Sequence, residues 1–573
     1  PASAAGQSAW LVFDHLETDA VVLVNGVEAG RHRSAHRPAR FDVGSLLRPG
    51  AANHIAVRVD AGLYGVADKP GAAYQNQLSV LLNKLHWLRK GQWQAGWDWQ
   101  QRLMNVGILG SVRIRFADAP LLFDAWLRAA PTDDLSSATF RAEVETFVPG
   151  EVPVEAVLRC MVLDTDAGQE RAVQLPPGWS RHAVETVLDD PELWWPVGHG
   201  DPTTYSVAIS LEAGGVEQGC RLATGIRRVE IDQSPHPGGG KHFILRINGK
   251  PIFCKGGNWV PPDMLPTTVG EDRIEGLVDA ALEANFNILR IWGGGVWAGS
   301  TLLDQCDAKG LLVWHDLLFA CSKYPGDDPE FSKEVRTEVE WGLRTYGRHP
   351  SVVVWCGNNE IEWGDWHWGY DDRGVTHPHY ALFHHDFPLI ARREAPHTAY
   401  WISSPFSPDQ AHPNEPTVGD QHPWTVSLQV AGGADWWDYR TYVDRFPNEG
   451  GVLGASTLAT LRGFLPERER HLLSPSWEHH DNPYAYNDLK PGSAGHAYQT
   501  VRLWIGRDPF AMDWETYAVA SGLLQGEGIS EYIANYRRRM FSSSSAIFWM
   551  YNDSWPTTHG WTIVDYHLRR KLA

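Results

Sequence analysis

Two carboxylates are set apart by their neighbours. The apolar run Val352-Val-Val-Trp-Cys356 closes on Gly357-Asn-Asn-Glu360, so two amides and a carboxylate fall where a buried strand would end. A carboxyl group held there, desolvated and near a second carboxylate, has its pKa raised and serves as a general acid at neutral pH. Asn359 is suited to hold a substrate hydroxyl beside it. The competing reading makes Glu360 a helix cap or the partner of an arginine. Phe446-Pro-Asn-Glu-Gly-Gly451 supplies the second carboxylate, Glu449, with two glycines that let a ligand approach the backbone. Alone, Glu449 reads equally well as an ordinary loop carboxylate. As a pair across a barrel mouth, the two have the equipment of glycoside hydrolysis. A separation of ~5–5.5 Å means retention through a covalent intermediate, and ~6.5–9.5 Å means inversion.

Leu289-Arg290-Ile-Trp292 is another strand end, where Arg290 can grip a hydroxyl or a carboxylate in bidentate fashion. The Gly293-Gly-Gly295 that follows is not a dinucleotide fingerprint, and neither a phosphate loop nor a GxSxG elbow occurs. The chain holds 28 Trp. Trp259, Trp292, Trp549 and Trp555 fall at or just past strand ends; each alone reads as core, but four at one rim suggest a stacking platform for the apolar face of a sugar ring. The six cysteines are widely and irregularly spaced, with no CxxC pair, and no HExxH occurs, so neither a metal nor a cofactor is expected.

Three regions would position these groups in the 573 residues. Residues 1–117 read as β, with 20–24 leading into Asn25-Gly26, the strongest short hairpin signal, and further strands at 41–43 and 55–59. This suggests a jelly-roll sandwich. Residues 118–224 carry strands at 139–147 and 154–159 and suit an immunoglobulin-like sandwich. From 225 to 573 the period changes. Ile274, Leu277, Val278, Ala281 and Leu282 mark one amphipathic helix, and Val335, Val339 and Leu343 another. Strand-like runs at 253–259, 287–292, 311–316, 352–360, 398–403, 417–422, up to 449, and at 546–551 number eight, the count of a (β/α)8 TIM barrel, whose functional residues sit at strand ends.

Lys plus Arg is 50 against 69 Asp plus Glu, a net charge of −19 without a basic block, which argues against nucleic acid and anionic membranes as partners. No apolar run reaches transmembrane length. Few cysteines in a long chain fit a cytoplasmic protein. No signal peptide is visible at Pro1, and the opening residues read as the interior of a domain. No feature defines an oligomeric state.

A set of motifs in one order then carries a resemblance. They are Val24-Asn-Gly-Val27, Arg37-Pro-Ala-Arg-Phe-Asp42, Gly96-Trp-Asp-Trp99 with Arg102, Leu193-Trp-Trp-Pro196, the stretch from Asn248 to Trp259, and Leu289 to Gly295. Leu318-Phe-Ala-Cys-Ser-Lys-Tyr-Pro325, Gly357-Asn-Asn-Glu360, Trp477-Glu-His-His480 and Asn552-Asp-Ser-Trp-Pro556 complete them. Over nearly its whole length the chain resembles glycoside hydrolase family 2, β-mannosidase type. The resemblance implies a jelly roll, an immunoglobulin-like sandwich and a catalytic (β/α)8 barrel. It implies a retaining exo-glycosidase acting on terminal β-mannosides of an oligosaccharide or glycoside, with Glu360 as acid/base and Glu449 as nucleophile. By the same resemblance Trp97, Asp98 and Arg102 lie on a first-domain loop that reaches the active site, Asp98 binds a hydroxyl of the terminal sugar, and Trp368 and His422 are further substrate-binding candidates. Three departures stand out. Asn448-Glu-Gly-Gly451 replaces a pattern like Ser-Glu-Phe-Gly, Gln100-Gln101 replaces the Gly-Pro after Trp99, and the first jelly-roll strands and the final β domain have no counterpart.

Overall fold

The computed structural model describes residues 7–71, 84–367, 377–408, 411–428, 435–481 and 496–572. In the first part Asp19–Val24 and Val27–His32 pair antiparallel with Val24 opposite Val27. Between them Asn25 and Gly26 take φ values of 52° and 84°. Two successive left-handed residues match the right-handed twist of a hairpin, the reason for Asn-Gly at this point. Ile55–Asp60 extends that sheet. Ala39–Asp42, Ser8–Phe13 and Val112–Ala117 form a second one. Leu11 and Phe13 of one sheet meet Ala20, Val22 and Val24 of the other in a common core.

The next sandwich stacks Leu121–Pro131, Ser137–Val148 and Gly178–Asp189 on a four-stranded sheet built from Val154–Val162, Gly168–Leu175, Tyr205–Ala213 and Val216–Thr224. Every second residue of Ser137–Val148 is buried. That alternation puts Phe140, Ala142 and Val144 against Leu158, Val207 and Ile209.

Beyond residue 225 a six-stranded parallel sheet runs in the order Ala399–Trp401, Val352–Cys356, Leu312–Asp316, Ile288–Ile291, Cys254–Trp259, Ser545–Phe548. All five residues of Leu312–Asp316 and of Val352–Cys356 are buried, as expected of strands covered on both faces. Gly256 sits where an added Cβ would fall 1.9 Å from the Ile288 carbonyl oxygen, so only glycine fits this strand contact. The anticipated helices are Glu271–Glu283, which buries Ile274, Leu277, Val278 and Ala281, and Pro329–Tyr346, which buries Val335, Val339 and Leu343.

The sixth and seventh barrel positions differ from expectation. Residues 420–422 and 445–450 make no regular strand and are joined by a single parallel bridge, Gln421 to Pro447. Pro447 has no N–H to give a ladder, and the Phe446 N–H goes to the Gln421 side chain at 2.9 Å. Closure is still continuous. Asn448 N donates to Gln421 O, Ile547 N to Pro447 O, and Tyr551 N to Asn258 O. The architecture is a jelly roll, an immunoglobulin-like sandwich and a TIM barrel.

The sandwiches are fastened to the barrel by buried polar contacts. Arg89 and Glu338 form a bidentate pair at 2.6 and 3.0 Å, both fully buried. Trp297 donates its indole N–H to His36 O, and the Gly294 carbonyl accepts from Trp93 N. From the second sandwich the Trp194 indole donates to Asp307 O. The contact at Trp93 lays segment 91–101 over the barrel mouth. Among the described residues no helix is long and apolar enough to cross a membrane.

Candidate active site

Arg290 organises the floor of the barrel mouth. It is the penultimate residue of a strand buried along its whole length, and its guanidinium is wholly buried. Nη2 donates to Asp316 Oδ2 at 2.8 Å and Asn359 Oδ1 at 2.6 Å, while Nη1 donates to Glu449 Oε1 at 2.5 Å and Asn258 Oδ1 at 3.0 Å. Four barrel positions therefore converge on one cation. Asp316 and Asn258 were not anticipated as site residues. The signal available was that a buried arginine needs a carboxylate at a neighbouring strand end.

Glu360 follows Asn359 with φ of +58°, a left-handed conformation uncommon for a residue with a Cβ. The turn is held by Glu360 N donating to Ser404 O and Ile361 N to Asn358 Oδ1. It turns the carboxyl over the mouth, where Oε1 lies 2.7 Å from His422 Nδ1 and Oε2 3.6 Å from the Cys321 thiol. His422 Nδ1 is also 3.3 Å from Glu449 Oε2. One oxygen of each glutamate and a His422 nitrogen lie within 4.8 Å of one another. Three such atoms would suit a small cation by distance alone, but the Arg290 guanidinium already supplies the positive charge at Glu449.

The two carboxyls differ in environment. Burial, and then the charge of Glu449, push Glu360 well above the usual carboxylate range. Burial also raises Glu449, to about 7, with Arg290 opposing it. Arg290 bonds Glu449 and not Glu360, so the shared proton resides on Glu360 and the charge on Glu449. Burial drives His422 well below its ordinary value, followed by the nearby Arg290, so its imidazole is neutral.

The first sandwich supplies one wall. Trp97 and Trp99 meet Trp292 edge-on at 4.8 and 5.9 Å, and Trp549 meets it at 5.5 Å. Trp561 packs on Trp424 at 5.3 Å. Asp98 is buried beside the indoles of Trp549 and Trp561, and its Oδ1 has no hydrogen-bond partner. Burial, and then the charge of Glu449, raise its carboxyl to about 8. Such a carboxyl in an aromatic box is ready for a hydroxyl.

Other anticipated residues lie apart from this centre. Trp259 points away from the barrel axis and stacks on Tyr551 at 6.3 Å. Alternation along the strand explains this, because its neighbour Asn258 takes the inward position. Arg102 is exposed on the outer side of its loop. Trp555 is half-buried and stacks on His480 at 4.8 Å. Trp368 lies outside the described residues. His422, by contrast, lies within the centre, its Nδ1 2.7 Å from Glu360 Oε1 and 3.3 Å from Glu449 Oε2.

Residues 1–110 match the glycosyl hydrolase 2 galactose-binding domain-like family, and residues 122–227 match glycosyl hydrolases family 2. The beta-mannosidase B of Emericella nidulans is 30% identical over 603 residues, covering 100% of this chain and 68% of that protein. The beta-mannosidase B of Aspergillus niger is 29% identical over the same shares. Among solved structures, a beta-D-mannosidase from Dictyoglomus thermophilum superposes with a TM-score of 0.87 at 28% identity, over 98% of this chain and 67% of that one. The exo-chitosanase CsxA of Amycolatopsis orientalis superposes at 0.71 with 19% identity, over 99% and 63%, and shares the fold.

Proposed function

Because the chain belongs to glycoside hydrolase family 2, we propose that it is a retaining exo-β-glycosidase that removes terminal non-reducing β-D-mannose from oligosaccharides or glycosides. The observation that carries the mechanism is the placement of one Glu360 oxygen within 4.8 Å of one Glu449 oxygen, with Arg290 bonded to Glu449 and not to Glu360. That closest approach suits the ~5–5.5 Å carboxyl separation of a retaining pair and a covalent intermediate better than the ~6.5–9.5 Å of an inverting one. Glu449 attacks the anomeric carbon as Glu360 passes its proton to the leaving oxygen. Water then attacks the glycosyl-enzyme, giving its proton to Glu360. Asn359 holds the 2-hydroxyl, and Trp97, Trp292 and Trp549 wall the terminal sugar. The wall contributed by segment 91–101 supports attack at a chain end. The six cysteines are free, which supports cytoplasmic placement.

The test is nitrophenol release from a panel of p-nitrophenyl β-glycosides. Preference for the β-mannoside is expected. Preference for another sugar would move the specificity and point to Asn448 and Gly450, where the nucleophile segment departs from the family pattern. Cleavage of none would overturn the reading.

The pair also predicts a bell-shaped pH dependence of kcat/KM. Activity rises as Glu449 ionises near its raised value of about 7. It falls at higher pH, where Glu360 loses its proton. In Glu360→Gln the alkaline limb should vanish while the acid limb stays; persistence of both limbs would reassign the acid.

Asp98→Ala should lower kcat/KM about 10- to 100-fold, the cost of leaving a buried substrate hydroxyl without its hydrogen-bond partner. Because Oδ1 has no partner in the free protein, melting should change little. A loss of stability with unchanged kinetics would make Asp98 a domain buttress.

A further inference from the structure

His422 touches both carboxylates, and the hydrogen bonds behind it decide which ring nitrogen carries its proton. We infer that Asp420, Ser404 and Asn448 lock His422 as the tautomer protonated on Nε2, so that its Nδ1 lone pair holds the acid proton of Glu360. This rests on the reading of Glu360 as the acid/base.

Asp420 is wholly buried and accepts four donors. Oδ1 takes the Trp401 indole at 2.8 Å and Phe406 N at 2.9 Å, while Oδ2 takes the Ser404 hydroxyl at 2.5 Å and Asn448 Nδ2 at 3.3 Å. Four donors on two oxygens describe an ionised carboxylate. The single proton of Ser404 is thus spent on Asp420, and Ser404 Oγ is left as an acceptor. Asn448 Nδ2 donates to it at 3.1 Å, and His422 Nε2 lies 3.0 Å away. That contact is a hydrogen bond only if Nε2 carries the proton. Arg290 Nη1 also approaches Nε2, at 3.4 Å, but both its protons serve Glu449 and Asn258 at shorter distances. A neutral ring protonated on Nε2 has a bare lone pair on Nδ1. Nδ1 lies 2.7 Å from Glu360 Oε1, nearer than the 3.3 Å to Glu449 Oε2, and with its lone pair bare the shorter contact is a hydrogen bond only while Glu360 is protonated.

The arrangement keeps Glu360 protonated before the first half of the reaction and favours proton uptake by it in the second. In the first, the Oε–H bond breaks, the proton joins the leaving oxygen, and the electron pair of the broken glycosidic bond stays on that oxygen. Glu360 is then an anion facing a lone pair. In the second, water forms its bond to the anomeric carbon and releases a proton, which returns to Glu360 and restores the contact. Asp420, Ser404, Asn448 and His422 act here as positioning residues. Asn448 is part of the Asn448-Glu-Gly-Gly451 departure, which thereby acquires a role.

Asp420→Asn reverses the chain. An amide nitrogen in place of Oδ2 donates to Ser404, whose hydroxyl turns to His422 Nε2, and the ring proton moves to Nδ1. There it stabilises ionised Glu360, and the alkaline limb of kcat/KM should move down by about one pH unit or more. Ser404→Ala removes the lock while leaving Asp420 a carboxylate with three of its four donors, and should move the limb the same way by less. The other charged and titratable groups around the chain are untouched in both variants. These are Glu449, Asp98, Arg290 and Cys321 around Glu360, with Cys356 and Arg290 near Asp420. The measurement is the pH profile of wild type and both variants on a phenyl and a 2,4-dinitrophenyl β-glycoside of the sugar that wild type cleaves. The dinitrophenyl leaving group needs little acid assistance, so the variants should lose more activity on the phenyl substrate. An alkaline limb unmoved in the folded variants, or equal losses on both substrates, would overturn the inference. If Asp420→Asn does not fold, Ser404→Ala decides alone. Wild type inactive on every glycoside would instead overturn the glycosidase reading, and this inference with it.

Discussion

Glu449→Ala should reduce kcat by about 10,000-fold or more while the protein remains folded, because removing a covalent nucleophile leaves only binding and the remaining electrostatics. The structure explains why folding should survive. Arg290 faces two buried carboxylates, Asp316 and Glu449, so losing Glu449 still leaves one cation paired with one anion. Asn258 and Asn359 keep their bonds to the guanidinium as well. The vacated space should admit a small anion such as azide, whose attack from the nucleophile's side would yield a glycosyl azide of inverted configuration. Detecting that product together with an unshifted melting transition would assign the nucleophile. A melting loss as complete as the activity loss, with no azide product, would mean Glu449 is structural.

Arg290→Met is expected to damage both stability and chemistry. It leaves Asp316 and Glu449 buried with no cation between them, the situation that costs about 3–5 kcal/mol when one partner of a buried pair is removed. It also removes the influence that holds Glu449 down against burial. Glu449 would then stay protonated to higher pH, and the acid limb of kcat/KM should move upward in whatever fraction folds. Arg290→Lys keeps a charge but cannot present two nitrogens to four acceptors, so a partial loss is expected. A Met variant with wild-type melting and an unmoved acid limb would remove Arg290 from both roles.

Much of the site was legible from local pattern. Glu360 and Asn359 stand out because an apolar strand of five buried residues ends on them, and barrel chemistry sits at strand ends. Asn25-Gly26 marked its hairpin because few other dipeptides tolerate two left-handed residues in succession. The alternation in Ser137–Val148 and the 3.6-residue period of Pro329–Tyr346 are one-dimensional records of which face is buried. Such features need only the spacing of residues along the chain.

What the tertiary structure decided depends on contacts between residues far apart in sequence. Trp259 looked like a wall of the site, but the pleat turns Asn258 inward and sends Trp259 to the Tyr551 side. Arg102 shares a loop with Asp98, yet is exposed while Asp98 is buried. His422 sits in a segment without regular strand structure, and its partners Glu360, Ser404 and Glu449 come from three other barrel positions. Strand-end chemistry is therefore readable as composition, whereas which acid keeps its proton follows from barrel closure. Only closure brings Arg290 within 2.5 Å of one glutamate and the His422 Nδ1 within 2.7 Å of the other.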